Sequence, residues 1–137
     1  MGNNKQKSTK SVRATGRRAL KADEISIREY DAFIKPLDKY PKSVKPYVYA
    51  LGLTEEAGEA AGKLKKVIRD TDGKLDKSRK QAVMMELGDT LWYLTRFAAH
   101  LGYSLEQVMY YNVKKLKDRQ SRGVLAGGGK ILSGDNR

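Results

Sequence analysis

Apolar residues in this chain recur at spacings of three and four, and nowhere is a strict alternation of apolar and polar positions sustained. That periodicity belongs to helices with one face turned inward. Four helices are predicted. The first covers about residues 26–40, with Ile27, Tyr30, Phe33, Ile34 and Leu37 at helical spacing and Pro36 placed to kink it or stop it early. The second begins near Pro46, a residue tolerated in a first turn, and reaches about Arg69. Val48, Leu51, Glu55, Gly58, Gly62 and Lys65 share a broad sector of it, and Leu64, Val67 and Ile68 continue the apolar contact toward its end. The third, residues 77–100, has the sharpest pattern: Val83, Leu87, Leu91, Leu94, Ala98 and Leu101 form a stripe expected to be buried, and Gly102 supplies a stop. Ser104, with Gln107 three residues later, has the form of a capping box and opens the fourth helix, whose apolar side is Leu105, Val108, Met109, Val113 and Leu116. "DTDGK", residues 70–74, marks the turn between the two long helices. The expected fold is all-α, a four-helix bundle with the second and third helices at its centre.

Composition adds a partner to this picture. The chain has 137 residues, enough for one domain with a modest core or for half of a core completed by dimerisation, and its apolar share of 39% favours the second. With no cysteine, disulfides and thiolate metal sites are excluded. No run of about 18 apolar residues exists to span a bilayer, and no short apolar segment follows the basic start as a secretion signal requires. Gly2 is present, but Gln6 stands where a myristoylation signal needs Ser or Thr. A soluble cytoplasmic protein without membrane contact is the expectation.

The net charge of +12 sits at the ends. Residues 1–21 carry seven basic groups and no acid, residues 114–137 carry seven against two, and the stretch between is balanced. Three parts follow: a basic tail at 1–21 without expected structure, a helical unit at 22–122, and a glycine-rich basic segment at 123–137. The tail could be merely solvated, could give nonspecific contact with nucleic acid, or could meet a partner. No aromatic residue is interleaved with its charges, so it offers no stacking platform for single strands.

"LTEEAGEAAGKLKK", residues 53–66, sets Glu55, Glu56 and Glu59 close together with Gly58 and Gly62 in one helix. Each interior glycine costs about 1 kcal/mol relative to alanine, and neighbouring like charges repel by a few tenths of that. The glycines are expected to let another backbone or a ligand approach closely. Glu56 and Glu59 are three apart, as are Glu86 and Asp89 in "MELGDTLWYL". If the two long helices pack antiparallel, both pairs can face one point and form a hard oxygen site for magnesium or manganese. Glu55 could reach a second ion, orient a water or hold a basic side chain. The competing account is a solvated acidic face, with Glu59 and Lys63 as an ordinary pair four apart.

"EEAGE", residues 55–59, followed after 26 residues by "ELGD", residues 86–89, resembles the EExxE then ExxD signature of the all-α nucleoside triphosphate pyrophosphohydrolases, the MazG-like family. "YYNVKKLKDRQSRG", residues 110–123, is similar to that family's helix carrying Asn and Lys ahead of Arg and Gly, and "SGDNR" is similar to the endings of small members. The resemblance implies magnesium-dependent hydrolysis of a nucleoside triphosphate between its α and β phosphates. It implies Glu56, Glu59, Glu86 and Asp89 as metal carboxylates, Glu55 as the additional acid, and Asn112 and Lys115 as nucleotide contacts, with Arg119 and Arg122 as looser matches. It also implies pairing into dimers, some of which pair again.

Asn112, Lys115 and Arg119 fall on one side of the fourth helix, away from Met109, Val113 and Leu116, so one phosphate-bearing ligand could meet all three; a solvated basic face is the alternative. Trp92, three residues after Asp89, could stack on a base or pack in the core. His100 has no second imidazole at ligand spacing and is assigned a structural or surface place. Gly127 to Lys130 lacks the phosphate-loop pattern, since Ile131 follows the lysine; a closing segment, joined by Arg137, suits it better. The rival to an enzyme is a basic nucleic-acid-binding or adaptor protein on a helical scaffold.

Overall fold

The computed structural model describes residues 25–124. The expectations for residues 1–21, for Gly127 to Lys130 and for Arg137 lie outside these residues. Ser26 opens α1 (Ile27–Ile34) with a reciprocal cap: its hydroxyl accepts the Glu29 N–H at 3.2 Å, and the Glu29 carboxylate accepts the Ser26 N–H at 2.9 Å. Pro36 has no N–H to continue the ladder, so the chain tightens into a 3-10 turn at Lys35–Leu37 and the helix stops well short of Tyr40.

The first turn of α2 (Lys45–Thr71) holds Pro46, and the helix ends on two left-handed residues, Asp72 at φ 51° and Gly73 at φ 76°. Both amides return to the Val67 carbonyl. Asp76 then caps α3 (Lys77–His100) by accepting the Arg79 N–H at 2.8 Å. Gly102, at φ 84°, reverses the chain, and the Ser104–Gln107 box predicted from sequence opens α4 (Leu105–Ser121).

The short link between α2 and α3 makes them antiparallel neighbours, and they pack along their length. On α2 the inward stripe is Tyr49, Gly52, Glu56, Ala60, Lys63 and Val67; on α3 it runs through Ala82, Glu86, Thr90, Tyr93 and Phe97. The α3 stripe predicted from sequence requires correction. Ala98 is buried and Val83 and Leu94 are half-buried, but Leu87, Leu91 and Leu101 are exposed. This helix has two apolar faces, and α2 covers the one that also carries Glu86 and Tyr93. On α2, Leu51 and Ile68 are likewise exposed, about 70% each.

Within the chain the close approach falls at a third glycine, while Gly58 and Gly62 border an open hollow. A Cβ added at Gly58 or Gly62 would meet nothing within 4 Å, whereas one added at Gly52 would fall 2.3 Å from the Tyr93 ring. Packing is densest around Tyr49, 1% exposed, whose ring lies within 6.5 Å of those of Tyr40, Trp92, Phe97 and His100. By contrast α4 meets α3 sparingly, and Met109, Tyr110, Tyr111, Val113 and Leu116 are exposed along it. Among the described residues no helix is long and apolar enough to cross a membrane.

Candidate active site

Glu56 lies on the inward stripe of α2, one turn beyond Gly52 and one before Ala60, so packing of the two long helices carries its carboxylate toward α3. Glu86 and Asp89, three apart on α3, meet it there. One carboxylate oxygen from each of the three lies within 4.8 Å of the others. Burial, and then the charges of Asp89, Glu59, Glu86 and Glu55, hold the Glu56 carboxyl above its ordinary range. A cation among these acids would offset that repulsion.

The donor set suits a hard divalent ion. Three carboxylates with no sulfur or imidazole, their oxygens within 4.8 Å of one another, are donors of the kind that hard divalent cations take. Lys63 is on hand as well: its Nζ stands 3.2 Å from Glu86 Oε1. The ordinary Glu59 to Lys63 pair considered from sequence is therefore replaced by one that crosses between helices. Glu55 and Glu59 stand outside the three-acid group, in an adjoining open hollow with Gly58, Gly62, Lys63 and Lys66.

Beside the acids is an aromatic hollow of about 380 Å³ lined by Tyr40, Glu56, Asp89, Trp92 and Tyr93. Trp92 borders this hollow and packs edge-on against Tyr93 at 4.9 Å and against Tyr40 and Tyr49 at 6.4 Å, so of the roles weighed from sequence the packing one is present within the chain. The Tyr40 hydroxyl beside it, burial and the charges of Glu56 and Glu55 push the Tyr93 hydroxyl up to about 12. It therefore remains a proton donor at neutral pH.

The basic face of α4 is elsewhere. Asn112 and Lys115 share a hollow of about 660 Å³ with Tyr103, Val108 and Tyr111. Arg119 is exposed farther along the helix, and Arg122 is bound to Asp118 Oδ2 at 2.6 and 3.1 Å. None of these four lines the aromatic hollow or the acidic one. His100, exposed at the end of α3 with its ring edge-on to Tyr49 at 5.9 Å, occupies the surface place expected for it.

Sequence reasoning passed over Tyr40 and Gly52 and gave Lys63 to Glu59 instead of Glu86. Gly52 and Lys63 carried a usable signal, since they are four before and seven after Glu56 and so share its stripe. Tyr40 carried none, because it lies outside any regular helix.

A family profile described as the MazG nucleotide pyrophosphohydrolase domain matches residues 45–124, which contain α2, α3, α4 and all five acids. The chain belongs to the MazG nucleotide pyrophosphohydrolase family. Within its range of similarity is the Gene 37 protein of Mycobacterium phage L5, 42% identical over 87 residues that make up 64% of this chain and 72% of that protein. No solved structure matches the chain. The MazG domain is an all-α fold, as predicted from the helical periodicity, and its nucleotide chemistry agrees with an acidic cluster set beside an aromatic wall. Asp38 and Tyr40 precede the MazG match.

Proposed function

We propose that this MazG-family chain hydrolyses a nucleoside triphosphate between the α and β phosphates, releasing nucleoside monophosphate and pyrophosphate with magnesium or manganese as the ion. The observation that supports it most is the convergence of Glu56, Glu86 and Asp89 at the edge of the Tyr40, Trp92 and Tyr93 hollow.

When bound, a divalent cation supplies Lewis-acid polarisation of a phosphate oxygen and makes a nearby water more acidic. Glu56, Glu86 and Asp89 would hold it through their carboxylate oxygens. Glu59 and Glu55, in the adjoining hollow, extend that set or take a proton from the attacking water. Lys63 and Lys66 put ammonium groups beside the same acids, where phosphate oxygens need neutralising. Trp92, Tyr40 and Tyr93 offer ring faces and edges to the base, and the protonated Tyr93 hydroxyl donates a hydrogen bond.

Asn112, Lys115 and Arg119 join this site from α4 of a second copy, with Arg122 contributing only if it leaves Asp118. Within one chain they open onto a different hollow, while Met84, Leu87 and Leu91 on α3 and Met109, Val113 and Leu116 on α4 are exposed apolar residues suited to a homodimer or tetramer. In this assignment residues 22–122 form the catalytic unit of a cytoplasmic enzyme, and residues 1–21 add at most a nonspecific nucleic-acid contact.

The test is a panel of nucleoside triphosphates incubated with magnesium, with monophosphate and pyrophosphate both measured. Equal release of the two is expected, unchanged when residues 1–21 are removed. Inorganic phosphate without pyrophosphate would place cleavage at another bond. Salt-sensitive nucleic-acid binding lost with residues 1–21, together with no hydrolysis, would favour the adaptor instead.

A further inference from the structure

Asp38 stands in the link between the 3-10 turn and α2, its side chain 2% exposed. Its Oδ2 accepts from Lys45 Nζ at 2.6 Å and from the Tyr49 hydroxyl at 2.5 Å, with Arg96 Nε 3.5 Å away. Arg96, on α3, also donates to Asp31 Oδ1 on α1 at 3.0 Å. One buried acid and one buried base thus connect α1, the link, α2 and α3. Among the described residues, Asp38 Oδ1 and Arg96 Nε have no hydrogen-bond partner.

Stability alone is a poor explanation for such a network. Buried ion pairs are often replaced by apolar residues without loss, and buried polar atoms left unbonded are unfavourable. What the pair does accomplish is geometric. Val44 gives the start of α2 no side-chain cap, and Asp38 fastens the link by hydrogen bonds to Lys45 and Tyr49 of that helix. Tyr40 comes two residues later. Its ring stands 6.5 Å from Tyr49 and 6.4 Å from Trp92, its hydroxyl lies 3.5 Å from that of Tyr93, and it lines the hollow with Glu56 and Asp89. Tyr49 is common to both groups, with its hydroxyl on Asp38 and its ring against Tyr40 and Trp92.

We infer that buried Asp38, bonded to Lys45 and Tyr49 and facing the Arg96 guanidinium, is a latch that holds the Tyr40 wall of the aromatic hollow in place. Asp38 is therefore a positioning residue that sets affinity for the base of the nucleotide without touching it. This rests on the nucleotide-hydrolysis assignment above. Stacking energy depends on ring placement, so a loosened wall weakens recognition of the base while the carboxylates continue to hold the phosphates.

The experiment compares the wild-type protein with Asp38→Asn, Arg96→Lys, Tyr40→Ala and the Asp38→Asn/Tyr40→Ala double variant. Each is titrated with the magnesium complex of a non-hydrolysable nucleoside triphosphate and with tripolyphosphate, which has no base, following the emission of Trp92, the chain's single tryptophan. Asp38→Asn should raise KM and the nucleotide Kd about tenfold, leave kcat within about twofold, and leave tripolyphosphate binding unchanged. The double variant should bind nucleotide no more weakly than Tyr40→Ala alone. If Asp38→Asn does not fold, Arg96→Lys, which keeps the charge and loses the forked donor, is held to the same expectations. Unchanged nucleotide affinity, equal losses for nucleotide and tripolyphosphate, or fully additive effects in the double variant would each overturn the latch. A wild-type protein that binds no nucleotide would defeat the proposed function with it, whereas an active wild type matched by Asp38→Asn would defeat the latch alone.

Discussion

Along α2 and α3, positions three and four apart are filled by the neighbouring helix, from Tyr49 and Gly52 to Val67 on one side and from Ala82 to Phe97 on the other. Along α4 a similar spacing of Met109, Val113 and Leu116 meets little of its own chain. The α2–α3 pair gathers its acids without outside help. The basic face of α4 gathers nothing, and its hollow is separate from theirs. Two helical regions with comparable apolar patterns thus differ in whether the chain alone can use them, and the residues assigned to the nucleotide are divided between the two.

The largest effect should come from separating these regions in different subunits. Asp89→Asn and Lys115→Ala should each reduce turnover, the first by about a thousandfold or more because it removes a cation ligand. If α4 acts across a dimer, mixing the two inactive proteins under exchange should restore about a quarter of wild-type activity, since half the dimers are mixed and one of their two sites is intact. No recovery, with exchange verified, would return α4 to its own chain and end the division.

A smaller effect distinguishes the glycines. Gly52→Ala presses a methyl into the Tyr93 ring and should cost about 1–3 kcal/mol in urea unfolding, with weakened nucleotide binding. Gly58→Ala meets open space within the chain and should gain about 1 kcal/mol from helix propensity. A loss there instead would show that another copy lies over Gly58.

How much of this was legible beforehand depended on how local the determining chemistry was. The turn within residues 70–74, the stop at Gly102 and the Ser104 cap follow from one or two residues each, and sequence places them to within about two residues. The approach of Glu56 to Glu86 and Asp89 was legible from spacing within each helix, but the same spacing also put Glu59 with Glu56, and Glu59 lies in the adjoining hollow. The covered face of α3 was not legible. Leu87 and Leu91 satisfy helical spacing as well as Leu94 and Ala98 do, and only the rotation of α3 against α2 decides between them. The same rotation gives Lys63 to Glu86, and selects Gly52 over Gly58 as the glycine that a ring lies against.

The smallest effect concerns charge in the absence of a cation. Burial raises the Asp38 carboxyl, but its bonds to Lys45 and Tyr49 and the charges of Lys45 and Arg96 prevail and hold it below its ordinary range. Its contribution to stability is full above the usual carboxylate pKa and is lost as pH falls through the lower folded value. Glu56 has the opposite sign: burial and neighbouring acids raise it, so its contribution is present at low pH and lost as pH rises through the raised value. Glu56→Gln should therefore raise the cation-free Tm by a few degrees at neutral pH, and by less at pH 4, in thermal scans with chelator. A lower Tm at neutral pH would mean that Glu56 is not strained by its neighbours.

The central claim is that Glu56, Glu86 and Asp89 hold a divalent cation together. Calorimetric titration of manganese into the wild-type protein and into Asp89→Asn, each with a non-hydrolysable nucleoside triphosphate present, tests it most directly. The account predicts saturable uptake by the wild type that weakens at least tenfold in the variant while its helical content is retained. Equal uptake by both proteins, or none by either, would contradict it.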